Sequence, residues 1–294
     1  MITTNSFTNA EKIDLTNEIA VCQPLDTPLF TLLMAKKQYD KANSTIVTWR
    51  EKTLDTTSDI SATEGSETNT FYQSARVEKN NVCEIFKKAI QVSGTAEAIN
   101  VKGLGDLYAS EMADRLAEIK VNVENKLING VRDDGSTSGI RRMAGLISLV
   151  PDANKISSAS FDESIFKSVV KKLWDNGLGS NEYIAMVNAD LKEIIDSFYV
   201  NNSRYLAGNI NEFGIVADRV NTNYGVVNLV LNRHVPANTM LIFDPSYVRL
   251  AFLRTPASEI LAKTGDYVAG QVLTELTLKL LNANALAMFT KISS

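Results

Sequence analysis

His234 is the only histidine in the chain, and that fact limits the chemistry available. A Ser-His-Asp or Cys-His arrangement needs an imidazole as general base, and it would have to use this one. It sits beside Arg233 in a run of strand character, VVNLVLNRHV (226–235), with no nucleophile motif elsewhere. The plain reading is a half-exposed strand residue. Zinc needs clustered His or Cys. Cys22 and Cys83 stand apart in unrelated segments and read as reduced thiols. The glycine pairs Gly103-Leu-Gly105 and Gly177-Leu-Gly179 lack the third glycine and the Lys-Ser/Thr pair of a phosphate loop, so helix boundaries explain them. Asp133-Asp134-Gly135 lacks the alternating oxygen ligands and closing Glu of a calcium loop. No catalytic, cofactor-binding or metal-binding residue is assigned, and the chain is expected not to be an enzyme.

The charged residues point to contacts instead. DTTSDISATEGSETNT (55–70) carries Asp55, Asp59, Glu64 and Glu67, no base, and a single large apolar side chain, Ile60. It is too polar to line a core, yet segments of strand character flank it, 44–50 before and 76–94 after. The span 44–94 therefore reads as a long two-stranded limb with turn chemistry around Gly65. A loop of this length is functional or disordered, and an isolated ribbon is marginal in water. Either the tip is loose or another chain holds it. Two basic pairs, Arg141-Arg142 and Lys171-Lys172, are candidate docking points on a neighbouring copy for the four acids.

Several elements must carry these groups. Residues 1–24 are polar and without period, an arm expected to order against a partner. DTPLFTLLMAKKQ (26–38) reads as a short helix capped by Asp26, with Leu29, Leu32 and Leu33 on one face. In 103–131, Leu104, Tyr108, Met112, Leu116, Ile119, Val123, Leu127 and Val131 recur every three or four residues, a long amphipathic helix stopped at Gly130. Its other face holds acids and bases, Glu124 among them. Residues 161–177 and 189–200 read as helices, and 183–188, 226–235 and 239–244 as strands. Asp244-Pro245 reads as the start of a helix over 246–254. Residues 271–293 read as a closing hairpin turning at Asn282-Ala283-Asn284.

At 294 residues the chain fills one large domain or two ordinary ones, and 45% hydrophobic residues provide a normal core. A net charge of −4 gives no basic footprint for wrapping nucleic acid. There is no signal sequence and no run long enough for a membrane span, so the expectation is a soluble protein made inside the cell, with no membrane partner.

The order of elements and several short strings resemble the tailed-bacteriophage major capsid proteins of the Hong Kong 97-type fold. The strings are DTPLFTLL, EIFKKAIQVSGTAEAI (84–99), ENKLINGV (124–131), RRMAGLIS (141–148), LWDNGLG (173–179) and LKEIIDSF (191–198). The likeness covers about 25–292. It implies an α+β capsid fold, with 1–25 as N-terminal arm, 26–43 as a short helix leading to the loop, and 44–92 as an extended β-hairpin loop. It further implies a peripheral domain over 93–161 with spine helix 103–131, an axial domain over 162–254, and return strands to the peripheral domain over 255–294. The implied function is self-assembly, as pentamers and hexamers, into the icosahedral shell of a virion that encloses double-stranded DNA without sequence-specific binding. Production in the bacterial host cytoplasm and a portal are implied too, and the short arm favours a separate scaffolding protein. The Lys, Asn and acid of the isopeptide cross-link found in that fold's best-known member have no match here. The alternatives are an encapsulin-like compartment, another phage structural subunit or, last, an enzyme.

Overall fold

The computed structural model describes residues 24–69, 71–99, 106–177, 182–199, 205–206 and 218–292. The expected N-terminal arm before Pro24, Cys22, and the glycines Gly103, Gly105 and Gly179 lie outside them.

The chain opens with helix α1 (Pro28–Ala35), whose Leu29, Leu32 and Leu33 are buried as expected. Its N-cap is Thr27 rather than Asp26, and no side chain of the cap takes a backbone N–H. The first amides are satisfied from afar, by the Glu124 carboxylate, while Asp26 pairs with Arg233. Strand β1 (Tyr39–Lys41) follows, then β2 (Ile46–Thr53) and β3 (Ala75–Val82), which pair antiparallel from Ile46↔Val82 to Thr53↔Ala75. The return does not continue as one strand. It breaks at buried Cys83, and β4 (Glu84–Ser93) joins another sheet.

A short helix α2 (Gly94–Ala98) leads toward α3 (Leu107–Asn129), 23 residues and about 35 Å long. Asp106 caps α3 through the Ala109 N–H, and Gly130 ends it. Ile119, Val123 and Leu127 are buried on the predicted stripe, and so are Glu124 and Ile128; Val131 lies past the helix end, 72% exposed. Gly130 faces Gly145 across an approach so close that a Cβ on either would run into the backbone of the other. Helix α4 (Leu146–Leu149) starts there, followed by β5 (Lys155–Ser158), α5 (Glu163–Asp175), β6 (Glu182–Val187) and α6 (Ala189–Tyr199). Asp162 caps α5, and Gly177 ends it with φ +76°, a conformation glycine adopts without a Cβ clash.

Strands β7 (Tyr205–Leu206), β8 (Asp218–Thr222), β9 (Gly225–Leu231), β10 (Thr239–Phe243), β11 (Val248–Ile260), β12 (Tyr267–Leu280) and β13 (Leu286–Lys291) complete the chain. Strand β9 stops at Leu231, so His234 sits in a turn rather than in the expected strand. The expected helix over 246–254 is a strand. Asp244 does accept the Ser246 N–H, but the turn lasts only from Pro245 to Tyr247. Beyond it Val248, Leu250 and Phe252 enter the core opposite Leu280, Leu278 and Leu276, and this long-range pairing overrides local capping. The expected closing hairpin is not formed either, because β12 and β13 enter different sheets.

The four-stranded sheet runs β1-β11-β12-β4 and the seven-stranded sheet β5-β13-β10-β6-β9-β8-β7. Along β6, Tyr183, Ala185 and Val187 face α5 and α6, whereas Ile184 and Met186 join a second core with α1, α3 and the four-stranded sheet. A strand buried on both faces reads as an unbroken apolar run, as YIAMV does.

Candidate subunit interface

Strands β2 and β3 form a two-stranded sheet of their own. Eight residue pairs carry the ribbon about 27 Å, and residues 54–69 and 71–74 beyond it have no strand partner. Large apolar side chains stand in the open there: Leu54 60%, Ile60 83%, Phe71 88% and Tyr72 80% exposed. The four predicted acids share this tip. Asp55 accepts the N–H groups of Thr57 and Ser58, each at 3.1 Å, and the Ser58 hydroxyl, and these bonds hold its carboxyl down at about 2. Asp59 accepts the Ser61 N–H at 2.9 Å and is lowered by its bonds to Ser61. Both build turns; Glu64 and Glu67 are exposed.

The predicted bases are scattered. Lys171 and Lys172 are exposed on α5, beside the seven-stranded sheet. Arg142 exposes its side chain while its backbone bridges Asp133. Arg141 is engaged within its own chain: its guanidinium donates to Glu275 at 2.7 Å, and Arg254 donates to the other oxygen of that carboxylate at 3.0 Å. Among the described residues, no ion pair joins a tip acid to any of these four bases.

The segment 141–144 clasps the root of the chain's own limb. Asn81, fully buried, donates to the carbonyls of Ala144 and Leu278 at 3.0 and 2.8 Å and accepts from the N–H groups of Ala144 and Val82 at 2.9 Å each. Glu84 accepts the Met143 N–H at 3.0 Å; burial pushes its carboxyl up. Farther out, Arg132 donates to Asn80, and Glu51 accepts the Ala283 N–H. Cys83 lies in this root, where burial raises its thiol to about 11, so it stays protonated at neutral pH. Buried Glu124 takes the N–H groups of Leu29 and Phe30, each at 2.8 Å, and the Asn232 amide at 2.6 Å, tying α3 to α1 and to the turn after β9. Burial raises its carboxyl and the three donors oppose that shift.

Sequence reasoning missed Asn81, Glu84, Glu124 and Glu275. For Glu124 a signal existed: it lies three and four residues before Leu127 and Ile128, on the buried side of α3. Asn81, inside the polar string EKNN, gave none.

These features describe a body with a projecting limb, and comparison with known proteins places it. The SU10 major capsid protein family matches residues 2–293. The chain belongs to this family. The major capsid protein of Escherichia phage Phieco32 is 23% identical over 92% of this chain and 91% of its own length. In structure, the capsid of Cyanophage A-1(L) superposes with a TM-score of 0.68 at 12% identity, covering 99% of each chain. The SrpI encapsulin complex from Synechococcus elongatus PCC 7942 gives 0.60 at 11% identity, over 96% of this chain and 93% of the other. The SU10-family chain thus has the Hong Kong 97-like capsid fold.

Proposed function

We propose that copies of this major capsid protein close into the icosahedral shell, built of pentamers and hexamers, that encloses the double-stranded DNA genome of a tailed phage. The observation that carries this reading is the family match over residues 2–293, and the limb adds geometry to it. A ribbon that leaves the body and exposes apolar groups at its end suits a head-to-tail contact, which closes into rings or shells. In this reading residues 1–25 are the arm and 44–92 the extended loop over a neighbouring copy. Residues 93–161 are the peripheral domain with α3 as its spine helix, and 162–254 the axial domain. A separate scaffolding protein and a portal assist assembly in the bacterial cytoplasm. The net charge of −4 suits a wall that confines DNA without gripping it.

Electron microscopy of the expressed chain, alone and with the genes beside it, tests the proposal: closed particles are expected. A chain that stays monomeric under all these conditions overturns it. The fold shared with an encapsulin supports one second reading, a protein-filled compartment. Particle contents separate the two, genomic DNA in one case and protein cargo in the other. Limited proteolysis should cut free subunits first within 53–75 and spare those bonds after assembly.

A further inference from the structure

Glu124 is fully buried, and among the described residues no base pairs with it; three N–H donors surround its charge instead. They come from two separate pieces of the chain. Helix α1 gives two: Leu29 donates to one carboxylate oxygen and Phe30 to the other, which replaces the cap that Thr27 does not supply. The turn after β9 gives the third, the Asn232 amide. That amide is held in this orientation, because its oxygen accepts the His234 N–H at 2.9 Å while the Asn232 backbone N–H holds the Val187 carbonyl of β6. The turn has other ties that bypass Glu124. Asn129 at the end of α3 donates to the His234 carbonyl at 2.7 Å, and Asn188 to the Val235 carbonyl at 3.0 Å. A further contact between the start of α1 and the turn, Asp26 with Arg233, is open to water on both sides and adds little.

We infer that Glu124 is a latch through which helix α1 and the turn 232–235 let go together. A buried carboxylate is tolerated only while donors surround it, and withdrawing one leaves charge that neither water nor a cation compensates. Losing either piece therefore weakens the hold on the other. The two pieces lead to different places: α1 runs from the amino-terminal residues toward β1 and the limb, and the turn joins β9 to β10 in the seven-stranded sheet. A movement of that sheet at the turn loosens α1, and by the reciprocity of linked equilibria a pull on α1 loosens the turn. Charge sets the strength of this coupling, since hydrogen bonds to an ionised group are the stronger ones. The other charged or titratable groups on the elements packed round Glu124 are Lys120 and Lys126 on α3, Lys36 beside α1, Glu182 on β6, and Asp26, Arg233 and His234 at the turn. Of these, His234 also titrates in weak acid, below its usual 6.5 because it is partly buried.

Native-state hydrogen exchange of the free, full-length subunit tests this. Asn232→Ala should speed exchange of the α1 amides over 31–38 about tenfold or more, together with those of 232–235. Asn129→Ala cuts the turn's tie to α3 but leaves the donors of Glu124 in place, so it should speed the turn amides and keep α1 within about twofold of wild type. Unchanged α1 exchange in the first variant, or equal loosening of α1 in both, overturns the inference. If Asn232→Ala does not fold, Leu33→Ala gives the reverse reading. Exchange over 232–235 should then rise with that of α1, and a turn that holds while α1 loosens overturns the inference. A pH series in a His234→Gln background isolates the carboxylate. Burial raises Glu124 above 4.5, so the ratio of Asn232→Ala to parent exchange in α1 should shrink as pH falls from neutral toward 4.5. A ratio that stays constant overturns the part assigned to the charge.

Discussion

At its root the limb carries the buried Asn81 and Glu84, both partnered inside the same chain; at its tip it carries exposed apolar groups that the described residues leave uncovered. Asn81 uses both its amide hydrogens and accepts twice at its oxygen, all against fixed backbone. Phe71, ten residues earlier, is 88% exposed. The contrast separates two tasks. A root whose hydrogen bonds are all made within the chain fixes the limb's direction before any second copy arrives. A tip with bare aromatic surface contributes nothing to the folding of one copy and is available for contact between copies. Specificity of aim and strength of contact are thus placed about 27 Å apart on one ribbon.

The comparison can be broken most severely at the root. Asn81→Ala leaves two carbonyls and two N–H groups short of a partner in a buried site, and should cost the free subunit about 3 kcal/mol in urea unfolding. If stability is unchanged, the root does not lock the limb. Arg141→Glu comes next, since it sets a carboxylate against buried Glu275 and should cost about 2 kcal/mol. Arg142→Glu, on an exposed side chain one residue later, should change folding by no more than about 0.5 kcal/mol. Equal effects would dissolve the distinction between clasp and surface.

The smallest effect is a pH dependence, and its sign distinguishes the two ends. At the root, burial raises Glu84 above its usual range, so the folded state holds that proton more tightly than the unfolded state does. Stability from this group is greatest in acid and declines as pH rises from about 4.5 through the raised value. At the tip, Asp55 is lowered to about 2, so what it contributes is lost as pH falls from 3.8 toward 2. Glu84→Gln keeps an acceptor for the Met143 N–H and should flatten the stability curve above pH 4.5 in thermal melts. An unaltered slope would remove Glu84 as its cause.

Much of the architecture was legible in residue order. The stripe Ile119–Val123–Leu127, the run YIAMV and the stops at Gly130 and Gly177 all declare local structure through local chemistry. What stayed hidden was long-range. Residues 246–254 look like a capped helix until β12 lies beside them, and 271–293 look like a hairpin until the other sheet claims the second strand. Asn81 is a polar residue in polar company along the chain, Glu124 carried only its place on the buried side of α3 as a signal, and folding alone brings them carbonyls from β12 and donors from α1. Arg141 was legible as charged, but its pairing within the chain was not, because Glu275 lies 134 residues away.

One consequence concerns strand β12. Along its fourteen residues the Leu278 carbonyl holds Asn81, and Glu275, about 10 Å away, holds both Arg141 and Arg254. An extended strand hydrogen-bonded on both sides scarcely stretches. A pull on the limb would therefore pass through Asn81 into this single stiff tie and spread over the whole four-stranded sheet instead of peeling the ribbon from its root.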